Sequence, residues 1–312
     1  MPLKSLSSRA IIGEFYQRLE QDLGANWVNP ISMYFTSDQE SETYRWLGQV
    51  PAMRQWVGGR MVKSLRDAGL TLVNVPYEST LGLPVDWIRR DKTGQAEVRI
   101  AEQAARANAH WASLLSTLIA NGATATCYDG SYFFADAHSE GNSGSQDNNI
   151  GGAAATGTQP TTVEMADAIL ACAQAILGFK DDQGELMNEG ARRFQVHVPL
   201  AYMGPAAGAL GATVNADTVS RTNQLLTVSS LGGFQFDLAI NPRLSWTDKF
   251  CVFRADGMAK PFIRQEEVPI EMSAQAEGSK AEFENREHQY GIFASRTAGY
   301  GYWQHACLYT FT

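Results

Sequence analysis

The spacing of hydrophobic residues changes along the chain, and it is most regular between residues 95 and 120. Apolar side chains recur there at alternating intervals of four and three: Ile100, Ala104, Ala107, Trp111, Leu114 and Leu118. The pattern predicts one amphipathic helix of roughly 39 Å at 1.5 Å per residue, which ends at Asn121 and Gly122. A helix this long with one apolar stripe is suited to support a β-sheet.

Before this helix the pattern is that of β-strands. Residues 70–77 and 81–88 are rich in leucine, valine and aromatic side chains that nearly alternate with polar ones, and residues 78–80 separate the two runs. We therefore predict an extended hairpin. Pro76 and Pro84 each remove a backbone donor, which favours an edge strand or a projecting hairpin over the centre of a sheet.

The remaining patterns mix helices and strands without a regular β–α–β repeat, which favours an α+β fold. Helices are predicted at 11–19, 53–68 and 162–177, and a helix or turn of small residues at 201–210. Strands are predicted at 194–200, 225–229, 234–240, 250–254, 261–268 and 290–295, followed by an aromatic stretch at 300–312. Residues 141–160 are rich in Gly, Ser, Asn and Thr, so we expect a loop there.

Composition limits the classes of function. The 312 residues are 44% hydrophobic and 19% charged, which excludes general disorder and predicts one elaborated domain or two lobes. The net charge of −8 argues against a dedicated nucleic-acid binder, although a shell that only encloses nucleic acid remains compatible with it.

Neither a leader sequence nor a membrane span is expected. The first 13 residues contain no apolar core, and polar residues, prolines or glycines interrupt both long uncharged stretches. Cys127, Cys172, Cys251 and Cys307 are widely spaced without a CxxC pair, so free buried thiols are expected rather than disulfides or metal ligands. We expect a soluble, intracellular protein without a cofactor.

One cluster is a candidate for metal binding or acid–base chemistry. It comprises Asp129, Asp136, His138 and Glu140, in which Asp136 and His138 form an Asp-x-His pair. No further histidine lies at ligand spacing, so we favour a turn at Asp129 and a buried aromatic plug at 132–134. The sequence contains no GxSxG, HExxH, kinase or P-loop signature, and we predict no catalytic residue and no bound metal.

The segment at 43–60 has a different character. It combines Trp46 and Trp56 with paired glycines and several arginines, including Arg60. Tryptophan usually lies at a packed surface with a partner for its N–H group, and adjacent glycines allow close approach of another backbone. We interpret the segment as a docking surface.

Three separated blocks resemble the Mu-like phage and prophage major head subunit (major capsid protein) family. The first is Thr43-Tyr-Arg-Trp46-Leu-Gly48 through Pro51, followed by Trp56-Val-Gly58-Gly-Arg60. The second is Cys127-Tyr-Asp-Gly130 with Phe133, Phe134 and His138. The third is Lys260-Pro-Phe-Ile-Arg-Gln265, with Tyr290-Gly291 and Arg296-Thr-Ala-Gly299-Tyr-Gly301-Tyr-Trp303-Gln304.

The resemblance implies the Hong-Kong-97-type phage capsid fold. Residues 1–67 would be its N-terminal arm and 68–94 its projecting hairpin, the E-loop. Residues 95–160 and 257–312 would form the peripheral domain with its long spine helix, and 161–256 the axial domain.

The implied function is that of the major capsid protein of a tailed double-stranded DNA phage or prophage. Subunits would assemble in the host cytoplasm into pentamers and hexamers of an icosahedral virion head. They would do so with scaffold, portal and possible decoration proteins, enclosing DNA without sequence-specific binding and without a membrane. Candidate intersubunit contacts are Trp27, Trp46, Trp56, Arg60, Trp87, Arg89 and Arg90.

Three alternatives are open at this stage. One is an encapsulin-like cellular shell protein, which would share the fold. Another is a metal-dependent hydrolase centred on Asp136 and His138, and the third is a monomeric binding module.

Overall fold

Two β-sheets and the helices packed on them form most of the described structure. The computed structural model describes residues 8–21, 24–44, 69–90, 94–216 and 220–312. The helix predicted at 53–68 and the candidate contacts Trp46, Trp56 and Arg60 lie outside these residues.

Nine α-helices occur within the described ranges. They are α1 (Ser8–Gln21), α2 (Val28–Ile31), α3 (Val85–Arg90), α4 (Gln95–Asn108), α5 (His110–Asn121), α6 (Thr162–Gly178), α7 (Met203–Gly211), α8 (Gln224–Gly232) and α9 (Lys280–Asn285). Among the described residues, none of these helices combines the length and apolar character needed to cross a membrane.

The strands alternate with these helices along the chain. They are β1 (Ser32–Thr36), β2 (Ser41–Tyr44), β3 (Leu70–Val73), β4 (Val75–Pro84), β5 (Asn149–Gly152), β6 (Arg193–Val198), β7 (Val214–Ala216), β8 (Ser220–Thr222), β9 (Gln235–Ile240), β10 (Lys249–Arg254), β11 (Phe262–Gln275), β12 (Glu287–Tyr300) and β13 (Ala306–Phe311).

The first sheet has the strand order β1-β11-β12-β4, with β1 parallel to β11 and the other pairs antiparallel. Helices α1 and α4 pack on it and close a small core that contains Phe15, Ile100 and Tyr290. Burying these side chains, each worth about 1.5–3 kcal/mol, is what holds the two helices to the sheet.

The predicted hairpin within 70–88 is wrong. Strand β4 runs without a turn through residues 78–80 and pairs with β12 from Val75 to Pro84, whereas β3 pairs with β2. Alternation predicts strands but does not identify their partners, and both partners here are distant in sequence. The prediction from Pro76 and Pro84 is confirmed, because β4 is an edge strand of the first sheet.

The single helix predicted at 95–120 is divided in two. A turn at Ala109 separates α4 from α5, although Ala109 still donates its N–H to the Ala105 carbonyl at 2.9 Å. Asn108, a weaker helix former, donates its side-chain amide to the Leu19 carbonyl at 2.9 Å and so ties the end of α4 to α1.

The second sheet has the strand order β5-β13-β10-β6-β9 and carries the larger core. Helix α6 packs on it and begins with a capping box between Thr161 and Glu164. Strands β5 and β13 join this sheet, although they lie outside the predicted 161–256 domain. The non-local pairing of β13 with β10 decides this arrangement, and sequence periodicity does not reveal it.

Two local predictions had different outcomes. Residues 225–229, predicted as a strand, belong to α8, because the Asn223 side chain caps the helix at the Leu225 N–H. The helix or turn of small residues predicted at 201–210 is confirmed as α7. It packs closely, since a Cβ added at Gly208 would lie 3.0 Å from the Thr162 side chain.

Candidate functional site

A tight turn brings together the three groups of the described structure that most resemble a chemical site. The Cys127 thiol donates to Asp129 Oδ1 at 2.9 Å, and His138 Nδ1 lies 2.7 Å from Asp129 Oδ2. Gly130 forms the turn with φ +86, a conformation that favours glycine. The Cys127 and His138 side chains are thereby held around the Asp129 carboxylate.

The electrostatics of this cluster do not favour nucleophilic chemistry. Burial, followed by the neighbouring charge of Asp129, raises the pKa of the Cys127 thiol far above its usual range. Burial by itself raises the pKa of the Asp129 carboxyl group. The hydrogen bonds from His138 and Cys127 outweigh the effect of burial, so the pKa of Asp129 is lowered overall. The thiol therefore stays protonated at neutral pH and the carboxylate stays charged.

The same three residues offer ligand atoms that lie within 4.8 Å of one another, so the cluster could hold a metal ion of the zinc class. This cluster differs from the set predicted from the sequence, because it contains Cys127 and lacks Asp136. Asp136 is exposed, whereas His138 is fully buried. The pairing of Asp136 with His138 is therefore wrong as a description of the site. Cys127 Sγ, both Asp129 oxygens and His138 Nδ1 are already engaged in hydrogen bonds within the cluster, which stabilise the turn without a metal.

Glu140, the fourth predicted residue, faces a different set of partners. Its Oε1 accepts from the Tyr128 hydroxyl at 2.7 Å and from Trp303 Nε1 at 3.1 Å. Trp303 is fully buried and stacks on His138 with ring centroids 3.9 Å apart. The cluster thus fixes the segment that leads into β13. Trp303 belongs to an aromatic stretch that the sequence identified, but its contact with residue 138 spans 165 positions and has no local signal.

The predicted aromatic plug is confirmed at two of its three positions. Phe133 and Phe134 are buried and contact each other at 4.9 Å between ring centroids, while Tyr132 is half exposed.

A second candidate site is an exposed surface at one end of the first sheet, formed by α3 and α9. Strand β4 leads into α3, α9 leads into β12, and an ion pair of 3.1 Å between Arg286 and Asp86 joins the two helices. Trp87 on α3 is 59% exposed and Phe283 on α9 is 89% exposed. We call Trp87, Arg89, Arg90 and Phe283 the α3–α9 surface.

The structure separates the predicted contact residues. Trp87, Arg89 and Arg90 lie together and exposed on the α3–α9 surface. Trp27 is only 6% exposed and packs edge-on against His197 of its own chain at 4.9 Å, so it is not carried into the proposed contact set. Phe283 was missed, because only the fold brings it next to α3.

Sequence comparison relates most of the chain to one family. The family model described as "Mu-like prophage major head subunit gpT" matches residues 8–177 and 241–310 of this chain. The chain is 33% identical over 110 residues to the major capsid protein of Escherichia phage Mu, covering 35% of this chain. It is 30% identical over 111 residues to the Mu-like prophage FluMu major head subunit of Haemophilus influenzae, covering 36% of this chain. Each match spans only 36% of the relative's own length.

Structural comparison identifies the fold. The procapsid subunit of bacteriophage JBD30 superposes with a TM-score of 0.57 at 19% identity, over 97% of this chain and 74% of that one. At this identity the likeness shows the fold alone. The predicted α+β fold of the Hong-Kong-97-type phage capsid proteins is confirmed.

Proposed function

Because this chain belongs to the Mu-like prophage major head subunit gpT family, we propose that it is the major capsid protein of a tailed double-stranded DNA phage or prophage. The observation that carries the proposal is the family match over residues 8–177 and 241–310, which includes the first sheet and strands β5, β10 and most of β13 of the second. Its activity is assembly into the pentamers and hexamers of an icosahedral head. No catalytic step is assigned to it.

The parts of the capsid fold are assigned to this chain as follows. Helices α4 and α5 together take the role of the spine, with α1 and the chain up to β2 as the arm. Strands β2 and β3 form an antiparallel pair, and residues 45–69 connect them. We assign the base of the E-loop to this pair, in place of the hairpin predicted at 68–94.

The α3–α9 surface is a contact with a neighbouring subunit. An exposed tryptophan and phenylalanine beside arginines have the composition of an interface anchor, and burying such aromatics dominates the energy of interfaces. Heterologous contacts of this kind close into rings when the rotation between subunits allows it. The charge of −8 favours enclosing DNA by confinement, with few direct contacts.

The partners and location follow from this role. Scaffold, portal and possible decoration proteins would bind the shell during assembly in the bacterial cytoplasm, and the finished subunit would reside in the virion.

Electron microscopy of the expressed protein tests the proposal. We expect closed shells or capsomers when the chain is expressed with the scaffold encoded beside it. A discrete 34.1 kDa monomer at every concentration, with and without scaffold, would overturn the proposal.

Variants test the α3–α9 surface separately. Trp87→Ala combined with Phe283→Ala is expected to reduce shell yield while leaving the melting temperature of the free subunit unchanged, since both side chains are exposed. Met258→Ala is the matched control, because Met258 is 94% exposed and lies in the turn between β10 and β11. Equal shell yields from all three proteins would contradict the assignment.

A further inference from the structure

A pocket between α4–α5 and the first sheet contains polar groups that lack partners. Its volume is about 170 Å³, and its walls come from α4, α5, β4, β11 and β12. Arg296, Gln103 and His110 all line it. Within the described part of the chain, Arg296 Nε, Gln103 Oε1 and His110 Nδ1 are buried and have no hydrogen-bond partner.

Arg296 is the most costly of these groups to leave unpartnered. The residue is 3% exposed, and its closest carboxylate oxygen, Oε1 of Glu266, lies 3.7 Å from Nη1. That distance allows attraction between the charges but is too long for a hydrogen bond. The Nε–H of Arg296 is buried without a hydrogen-bond partner, which is unfavourable because this group has lost its water without replacing it.

The charges around Arg296 leave a positive excess. Arg264 and Arg296 contact the same tryptophan ring, Trp111, at 5.4 and 4.9 Å from its centroid, and Glu266 is the carboxylate beside them. Glu266 also accepts a hydrogen bond from the Tyr34 hydroxyl. Glu78 and Arg106, which also line the pocket, offset each other. One carboxylate, Glu266, therefore balances the two arginines at Trp111, and a second anion would complete the cluster.

The size of the pocket narrows the choice of ligand. It is smaller than the roughly 300–1,000 Å³ of clefts that hold cofactors or drug-sized molecules, and it is open to solvent. A single side chain from another molecule fits better. The chain itself has 33 acidic residues against 25 basic ones, so a second copy offers many carboxylates.

We propose that this pocket, the Arg296 pocket, receives the carboxylate of an acidic side chain from a neighbouring copy of the same chain. The carboxylate accepts from Arg296 Nε and from the Nδ1–H tautomer of His110. Gln103 Oε1 accepts a backbone N–H or a water of the docked segment. The inference rests on the proposed function, because it requires that copies of the chain assemble.

Cross-linking with isotope-labelled subunits identifies the occupant. Arg296→Lys keeps the charge and introduces an amine, which a carbodiimide couples directly to a carboxylate in contact with it. Light- and heavy-nitrogen subunits of this variant are mixed before assembly, and the shells are digested and analysed by mass spectrometry. We expect mixed-label pairs joining the peptide that contains position 296 to an acidic peptide.

The other occupants give different results. Same-label pairs alone would show that a carboxylate of the same chain, such as Glu266 or Glu78, fills the pocket. No coupling in intact shells would show that only water or a small ion does. Either result overturns the proposal and leaves the proposed function standing.

Assembly of matched variants gives an independent test. Arg296→Gln and Arg264→Gln each remove a buried guanidinium from Trp111, but only Arg296 lines the pocket. We expect shell yield at equal subunit concentration to fall about tenfold for Arg296→Gln and to change little for Arg264→Gln. Circular dichroism and the melting temperature of the free subunits check that both variants fold.

A third variant keeps the test decisive if Arg296→Gln does not fold. Ala294 lines the pocket from β12, so Ala294→Leu places its added carbons in the existing cavity and blocks entry while keeping every charge. We expect a folded subunit with reduced shell yield. Normal shells from Ala294→Leu would overturn the inference alone, whereas absence of shells from the unaltered protein would overturn the proposed function as well.

Discussion

Two fully buried histidines predict that the subunit loses stability in mild acid. Burial lowers the pKa of His197 from 6.5 to about 3. Burial, with the charges of Arg254 and Lys260 adding to it, lowers the pKa of His305 to about 3. In the unfolded chain both histidines return to an ordinary pKa of 6.5. Between about pH 3 and about pH 6.5 the unfolded state therefore binds more protons than the folded state. Stability therefore falls as the pH falls below about 6.5.

The size of the effect follows from the shifts. Each pKa unit corresponds to about 1.36 kcal/mol, so at about pH 5 each histidine favours the unfolded state by about 2 kcal/mol. Together they remove about 4 kcal/mol of the free energy of unfolding between about pH 7 and about pH 5. That is a large part of the roughly 5–15 kcal/mol typical of a domain.

Urea unfolding of the free subunit at a series of pH values measures the effect. His197→Gln removes one titrating group and keeps a donor for the Gln195 Oε1 that His197 contacts at 2.8 Å, so the pH-dependent loss is expected to fall by half. His305→Gln should do the same, and the double variant should keep only the smaller loss that comes from His110, whose pKa burial lowers to about 4. A wild-type loss below about 1 kcal/mol, or an unchanged slope in the double variant, would refute the reasoning.

Three further predictions concern the rest of the described structure. Asp129→Asn replaces one accepting oxygen with a donor and should lower the free energy of unfolding by about 2 kcal/mol, measured by urea denaturation. Gly301→Ala places a Cβ 2.6 Å from the Lys260 carbonyl oxygen, so thermal melting should show that the free energy of unfolding falls by about 1–3 kcal/mol. Gly204→Ala in α7 is the control, because the added Cβ has no atom within 4 Å and should change the stability by less than about 1 kcal/mol. The four free thiols are all buried and should react with a thiol reagent only after unfolding, as followed by absorbance; rapid labelling of the native subunit would contradict their burial.

The accuracy of the sequence predictions depended on how local each signal was. The helix at 162–177 was predicted because its cap and its apolar face lie within one short segment, and α6 extends it by one residue. The hairpin predicted at 70–88 was wrong because both strands pair with distant segments. Leu70 pairs with Tyr44, 26 residues upstream, and Val75 pairs with Arg296, more than 200 residues downstream. Periodicity carries no information on such pairing.

The prediction of the candidate sites was limited in the same way, because contacts between residues far apart in the sequence leave no local signal. The sequence identified Asp129, His138 and Glu140, but it grouped them with Asp136 because of proximity along the chain. The structure groups them instead with Cys127, which donates to Asp129, and with Trp303, which stacks on His138. Cys127 was within reach of sequence reasoning, since it lies two residues before Asp129 at the start of the turn that Gly130 forms. Trp303 was not, because only the fold brings it there.

Tryptophan content alone could not distinguish residues that stabilise the subunit from residues available for assembly. Among the described tryptophans, Trp27 and Trp303 are buried in the large core, and Trp111 lies beneath two arginines. Trp87 differs, because more than half of its surface remains exposed after folding and no core contact explains its position. An apolar side chain of that size gains free energy only when a partner covers it, about 25 cal/mol for each Å² removed from water. The buried tryptophans thus fix the shape of the subunit, while Trp87 retains the free energy that a contact between copies can release.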